Sequence, residues 1–241
     1  MHFLTLWFFG HKAYFQSLWL KIHGRAGIYS PRYTRMCNLF NIETNAEVFF
    51  LSKFIIEGGN KLHGELKITG SKNAVLPILA ATVLNRGTST INNCPDLEDV
   101  KTMQEILTSL GLKVERKENS ITVCGDTIKT NEIPECLAGK MRSSIVLMGS
   151  VLGRIGEISI SYPGGCAIGP RPIDMHLSSL RKMGAEIDDL YKGILHCKVK
   201  RFTGTEILLD YPSVGATENI ILAACLAEGE TIIRNAAKEP E

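Results

Sequence analysis

Ile145-Val-Leu-Met-Gly-Ser-Val-Leu-Gly-Arg-Ile-Gly-Glu-Ile-Ser-Ile160 decides the reading of this chain. Its first eight residues are an apolar and small-residue run of helical character. A basic link and Gly156 follow, and the last four residues alternate polar and apolar as a half-buried strand does. The same succession occurs twice more: residues 75–84 ahead of Gly87-Thr-Ser-Thr-Ile91, and residues 220–226 ahead of Gly229-Glu-Thr-Ile-Ile233. Gly87, Gly156 and Gly229 thus recur at intervals of about 70 residues, which marks an internal repeat.

In the first two copies a second amphipathic helix is predicted, over residues 100–110 and 175–183, each ended by a glycine, Gly111 or Gly184, suited to a left-handed helix cap. A strand pair follows each. Leu112-Lys-Val-Glu115 is expected to pair with residues 120–123, and Ala185-Glu-Ile-Asp188 with residues 194–199, both antiparallel. One unit therefore reads strand, helix, strand, helix, strand, strand. Such a unit buries its helices only against neighbours, so three units around a pseudo-threefold axis are expected to form one α/β domain. The third copy reaches Asn235-Ala-Ala-Lys-Glu-Pro-Glu241, aligned with Asn93-Cys-Pro-Asp-Leu-Glu-Asp99 just before the second helix of the first copy. The third repeat is expected to be incomplete, a naturally shorter last unit being the alternative.

Composition narrows the function classes. Of 241 residues 44% are hydrophobic and 22% charged, which describes a folded globular chain. Lys plus Arg total 27 against 25 acidic residues, so no global charge recruits nucleic acid or acidic lipid, and any anion site must be local. Seven cysteines without a C-x-x-C pair suggest neither a disulfide framework nor a zinc site, and a reducing cytoplasm is expected. Residues 1–52 do not share the repeat. They are aromatic-rich, and His11 and Lys12 break the apolar stretch too early for a membrane span. They are expected to be a non-family extension, possibly upstream sequence read in frame with a start near Leu51. Mass spectrometry of the native protein showing residues 1–50 would refute the latter.

The chemistry is expected in the loops. Where the first copy has Asn92-Asn-Cys-Pro-Asp96, the second has the much longer Tyr162-Pro-Gly-Gly-Cys-Ala-Ile-Gly-Pro-Arg-Pro-Ile-Asp-Met-His176. Its prolines and glycines exclude regular structure and leave Cys166 little steric cover. Arg171, five residues on, can lower the thiol pKa and suit it to acid, base or nucleophilic work. Cys94, Cys124, Cys136, Cys197 and Cys225, in apolar or strand contexts, are read instead as inert and buried.

These residues resemble the UDP-N-acetylglucosamine 1-carboxyvinyltransferase family, enolpyruvyl transferases of peptidoglycan synthesis. Phe54-Ile-Ile-Glu-Gly-Gly-Asn-Lys-Leu-His-Gly64 is similar to the family's opening strand, Gly70-Ser-Lys-Asn-Ala-Val-Leu-Pro77 to its first substrate loop, and residues 163–176 to its cysteine loop. The resemblance runs from about Lys53 to Glu241 and implies an inside-out α/β barrel. It assigns residues 53–70 to an opening strand belonging to the second domain of full-length members and residues 71–241 to the first catalytic domain, the C-terminal domain being absent.

The resemblance also implies the reaction: transfer of the enolpyruvyl group of phosphoenolpyruvate to the 3′-hydroxyl of UDP-N-acetylglucosamine with release of phosphate, without cofactor or metal, in the cytoplasm. By it, Cys166 is the proton donor and the group alkylated by fosfomycin, on a loop expected to close over the bound nucleotide sugar. Lys72 and Asn73 bind phosphoenolpyruvate; Lys72 stands at a helix start, where backbone N–H groups also meet a phosphate but a cation opposes the helix dipole and calls for a compensating anion. Arg142, in Gly139-Lys-Met-Arg-Ser-Ser144, takes the corresponding position in the second repeat. Arg171, Pro172, Ile173, Asp174 and Met175 line the uridine and diphosphate, Asp174 being open to an alternative role as helix N-cap. Ser213, Val214 and Gly215 form a third helix entry for the diphosphate. His176 is read as a helix-start residue, and Tyr211, where some relatives have lysine, as a stacking or hydrogen-bonding group. Two competing readings remain: the shikimate-pathway enolpyruvyl transferase, which lacks this cysteine loop, and an inactive or nucleotide-sugar-binding fragment.

Overall fold

The computed structural model describes residues 6–8, 52–54, 58–59, 61, 63–164, 172–191 and 193–240. The chain divides into two units, Met1–Lys67 and Ile68–Glu241. In the first, strand β1 (Leu6–Phe8) pairs antiparallel with β2 (Ser52–Phe54), Leu6 opposite Phe54.

The second unit contains the repeats. The first comprises α1 (Lys72–Ala81), continued by the 3-10 turn Thr82–Leu84, then β3 (Thr88–Ile91), α2 (Glu98–Ser109), β4 (Lys113–Lys117) and β5 (Ser120–Cys124). The next comprises β6 (Glu132–Ile133), α3 (Glu135–Ala138), the 3-10 turn Arg142–Val146 running into α4 (Leu147–Ile155), β7 (Glu157–Ser161), α5 (Asp174–Lys182), β8 (Glu186–Tyr191) and β9 (Ile194–Lys198). The third comprises β10 (Glu206–Leu208), α6 (Val214–Ala224) and β11 (Ile232–Arg234). Both predicted hairpins form, β4 with β5 and β8 with β9, and the sheets run β3-β5-β4 and β6-β7-β9-β8. Strands β6 and β7, and β10 and β11, are parallel, each joined through helical segments as a parallel pair requires. Gly111 and Gly184 follow α2 and α5 with φ of +99° and +104°, the left-handed geometry expected of them.

The helices are inside and the sheets outside. Residues 147–152 of α4 are all buried, only its last turn reaching solvent at Ile155, and α6 packs along it. Strand β4, by contrast, alternates exposed and half-buried positions. Close approach of α4 and α6 depends on Gly149. A Cβ there would lie 2.7 Å from Asn219 Oδ1 and nearer still to the Asn219 backbone oxygen.

Helix α6 begins at Val214 with Ser213 as its cap, where the third helix entry is expected, and Thr217 and Asn219 are buried polar residues ahead of and beside its apolar run. Two sequence readings change. Asp174 is the first residue of α5 and not its N-cap; Ile173 caps the helix, with no side-chain bond, and Asp174 complements the dipole from the first turn. Of the cysteines read as buried, Cys94 and Cys197 are, Cys124 is half-buried, and Cys136 on α3 and Cys225 at the end of α6 are exposed.

Candidate active site

Helix α1 starts at the first substrate loop. Ser71 caps it without a side-chain bond, and Pro77 has no N–H to offer the Asn73 carbonyl one turn back. Lys72 stands at the positive end of the helix and donates from Nζ to Asp99 Oδ2 at 2.7 Å, so the carboxylate in the first turn of α2 supplies the compensating anion. Both side chains remain partly exposed, at 44% and 35%, so the pair adds little stability and can yield to a stronger anion. Asn73 is exposed beside it.

Arg142 opens the corresponding turn of the second repeat. Its Nη2 donates to the Pro172 carbonyl at 3.4 Å, which joins it to the start of α5. At the other end of the same loop, Gly164 lies so close to Gly139 that a Cβ on it would collide with the Gly139 backbone. The Gly139–Arg142 segment therefore holds both described ends of the long loop, Gly164 and Pro172. Cys166 and Arg171 lie outside the described residues.

Beside the loop's second end is a cavity of about 330 Å³, lined by Tyr162, Pro163, Pro172, Ile173, Asp174 and Arg181 among others. Its volume is at the lower end of small-molecule sites, and the Tyr162 ring together with a carboxylate and a guanidinium suits a planar polar ligand. Ile173 is buried, Met175 half-buried, and Pro172 and Asp174 exposed.

The third entry is the start of α6. Ser213 accepts from the Ala216 N–H at 3.4 Å, and the N–H groups of Val214 and Gly215 belong to the first turn, where a helix has no internal acceptor for them. Gly215 also admits the edge of His176: a Cβ there would be 3.2 Å from His176 Cε1 and 3.5 Å from Nε2. His176, 6% exposed, accepts at Nδ1 a hydrogen bond from Asn219 Nδ2, 3.1 Å away. Burial first, and the Arg142 charge second, push its imidazole down to about 4.

The predicted residues Arg142, Pro172, Ile173, Asp174, Met175, Ser213, Val214 and Gly215 are thus drawn together by contacts among the starts of the 3-10 turn, α5 and α6. Helix α1, which Lys72 and Asn73 open, packs on the 3-10 turn that Arg142 begins. Tyr211 is 54% exposed at the approach to α6. Sequence reasoning missed Asp99 and Asn219. The signal for Asn219 was an amide inside an apolar helical run, and for Asp99 an acid in the first turn of a helix that follows the loop.

The family model of EPSP synthase (3-phosphoshikimate 1-carboxyvinyltransferase) matches residues 56–241. The chain belongs to the EPSP synthase family. Within this family it is 56% identical over 191 residues to UDP-N-acetylglucosamine 1-carboxyvinyltransferase 2 of Caldanaerobacter subterraneus subsp. tengcongensis, covering 79% of this chain and 46% of that protein. It is 50% identical over 194 residues to UDP-N-acetylglucosamine 1-carboxyvinyltransferase 1 of Symbiobacterium thermophilum, covering 78% and 44%. The chain therefore spans under half the length of these relatives. Among solved structures, the enolpyruvyl transferase NikO from Streptomyces tendae superposes with a TM-score of 0.66 at 23% identity, over 77% of this chain and 43% of that one. EPSP synthase from Acinetobacter baumannii superposes at 0.58 and 23%, over 74% and 41%. These likenesses show that the fold is the inside-out α/β architecture of the EPSP synthase family.

Proposed function

We propose that this chain contributes the nucleotide-sugar-binding part of an enzyme that moves the enolpyruvyl group of phosphoenolpyruvate onto the 3′-hydroxyl of UDP-N-acetylglucosamine, a cytoplasmic step of peptidoglycan synthesis. The observation that carries the reading is the anchoring of both ends of the cysteine loop on one segment, Gly164 against Gly139 and Pro172 on Arg142. The names of relatives at 50% and 56% identity supply the substrates.

The reaction follows from the groups available. Protonation of the phosphoenolpyruvate methylene makes C2 electrophilic; the sugar oxygen adds there. Loss of a methyl proton and departure of phosphate then restore the vinyl group on the sugar ether. Cys166 is the proton donor, its thiol brought toward neutrality by Arg171. Lys72 exchanges Asp99 for the phosphate of phosphoenolpyruvate, with Asn73 beside it. Arg142, Arg171 and the N–H groups of Val214 and Gly215 neutralise the diphosphate, with Ser213 holding that helix start open. Pro172, Ile173, Asp174 and Met175 seat the uracil in the adjoining cavity. By the family resemblance, the carboxylate base and further arginines toward phosphoenolpyruvate belong to the second domain of full-length members.

Mass spectrometry after fosfomycin treatment tests this assignment. The expected result is a single adduct on Cys166, formed faster with UDP-N-acetylglucosamine present and absent in Cys166→Ser. An adduct that survives Cys166→Ser would remove the thiol from its role.

A further inference from the structure

Asn219 is fully buried, one turn into α6, and its side chain touches neither solvent nor the cavity. Its three partners come from three different elements. Oδ1 accepts from the Gly149 N–H of α4 at 2.7 Å; Nδ2 donates to the Ile145 carbonyl of the 3-10 turn at 3.2 Å and faces His176 Nδ1 of α5 at 3.1 Å. The two backbone partners fix the orientation of the amide, because turning it over would set N–H against N–H and oxygen against oxygen. With Nδ2 so placed, one of its hydrogens meets Ile145 and the other meets His176 Nδ1. That nitrogen must then offer a lone pair, and the proton of a neutral imidazole is on Nε2, the edge that lies against Gly215.

We infer that Asn219 is a positioning residue, which locks His176 as the Nε2–H tautomer and holds the starts of the 3-10 turn, α5 and α6 in one register, so that the Nε2–H edge faces the first turn of α6. The consequence for ligand binding rests on the function proposed above. The lock presents a neutral donor at Gly215 next to a cation, Arg142, where a second full charge would repel the first. It also accounts for a buried amide at the crossing of α4 and α6, since both its N–H groups and its oxygen have partners there. Asn219 does not touch the ligand. It acts through His176, Gly149 and Ile145.

Nitrogen-15 NMR of the imidazole in the ligand-free protein, near neutral pH, tests the lock directly. The expected spectrum of the wild type has His176 Nδ1 unprotonated and Nε2 protonated. Asn219→Asp, which replaces the donor by an acceptor, moves the proton to Nδ1. A wild type with a protonated Nδ1, or an Asn219→Asp variant with the wild-type spectrum, overturns the inference; should that variant not fold, the wild-type spectrum still decides the tautomer. Titration calorimetry with UDP-N-acetylglucosamine tests the register. Asn219→Asp is expected to bind about tenfold more weakly, the equivalent of one lost hydrogen bond. Unchanged affinity in a folded variant with a shifted tautomer overturns the positioning role. A wild type that shows the expected tautomer yet gives no binding heat leaves the lock standing and defeats the proposed function instead.

Discussion

At the scale of single residues, the site is made of groups whose ordinary chemistry is checked by a neighbour. Lys72 would be unfavourable at a helix start, and Asp99 relieves it at 2.7 Å. Because both are partly exposed, Asp99→Asn is expected to change folding stability by less than about 1 kcal/mol, measured by urea denaturation, while phosphoenolpyruvate binding by the complete enzyme tightens as Lys72 is released. A loss of several kcal/mol would mean that the pair is structural. Lys72 was legible from its place between a Gly-Ser turn and an apolar run. Its partner was not, since Lys72 and Asp99 are brought together only when α1 packs on α2. The same limit applies to Cys136 and Cys225, whose apolar surroundings in sequence lie on faces that the fold turns outward.

At the scale of elements, the crossing of α4 and α6 is close enough to leave no room for a Cβ at Gly149. Gly149→Ala would force a methyl into the Asn219 backbone, which neither helix can avoid without moving. The expected destabilisation is at least about 2 kcal/mol, read from the denaturation midpoint, and a change under half of that would show that the helices separate easily. The periodic apolar runs, the glycine caps and the alternating strand pairs were enough to place the two long helices, the strand between them and the antiparallel hairpin of each of the first two repeats. What they missed were the short β6 and α3 and the buried polar residues of α6. Thr217 and Asn219 are buried by tertiary contacts, and a pattern that equates burial with hydrophobicity cannot see them.

For the molecule as a whole, the buried imidazole couples stability to pH. The ordinary pKa of His176 is 6.5 and its folded value is pushed down to about 4. The unfolded chain therefore binds a proton first as pH falls, so stability is full above 6.5 and declines as pH drops toward 4. The loss is on the order of 3 kcal/mol across that window. Comparing urea denaturation of the wild type and His176→Gln at pH 7 and pH 4.5 isolates it from the carboxylates, and the variant is expected to show the smaller loss. Equal losses would mean that the ring is accessible to protons in the native state. Contacts of α6 with α5 and with the 3-10 turn, and the Arg142–Pro172 hydrogen bond, bring the starts of these three elements together, and this convergence is proposed to bind a nucleoside diphosphate sugar. Titration calorimetry of UDP-N-acetylglucosamine into the chain measures it most directly. Saturable one-to-one binding that Arg142→Ala abolishes without loss of folding is expected; binding of equal strength in the folded Arg142→Ala variant, or none in the wild type, would contradict a nucleotide-sugar site at this convergence.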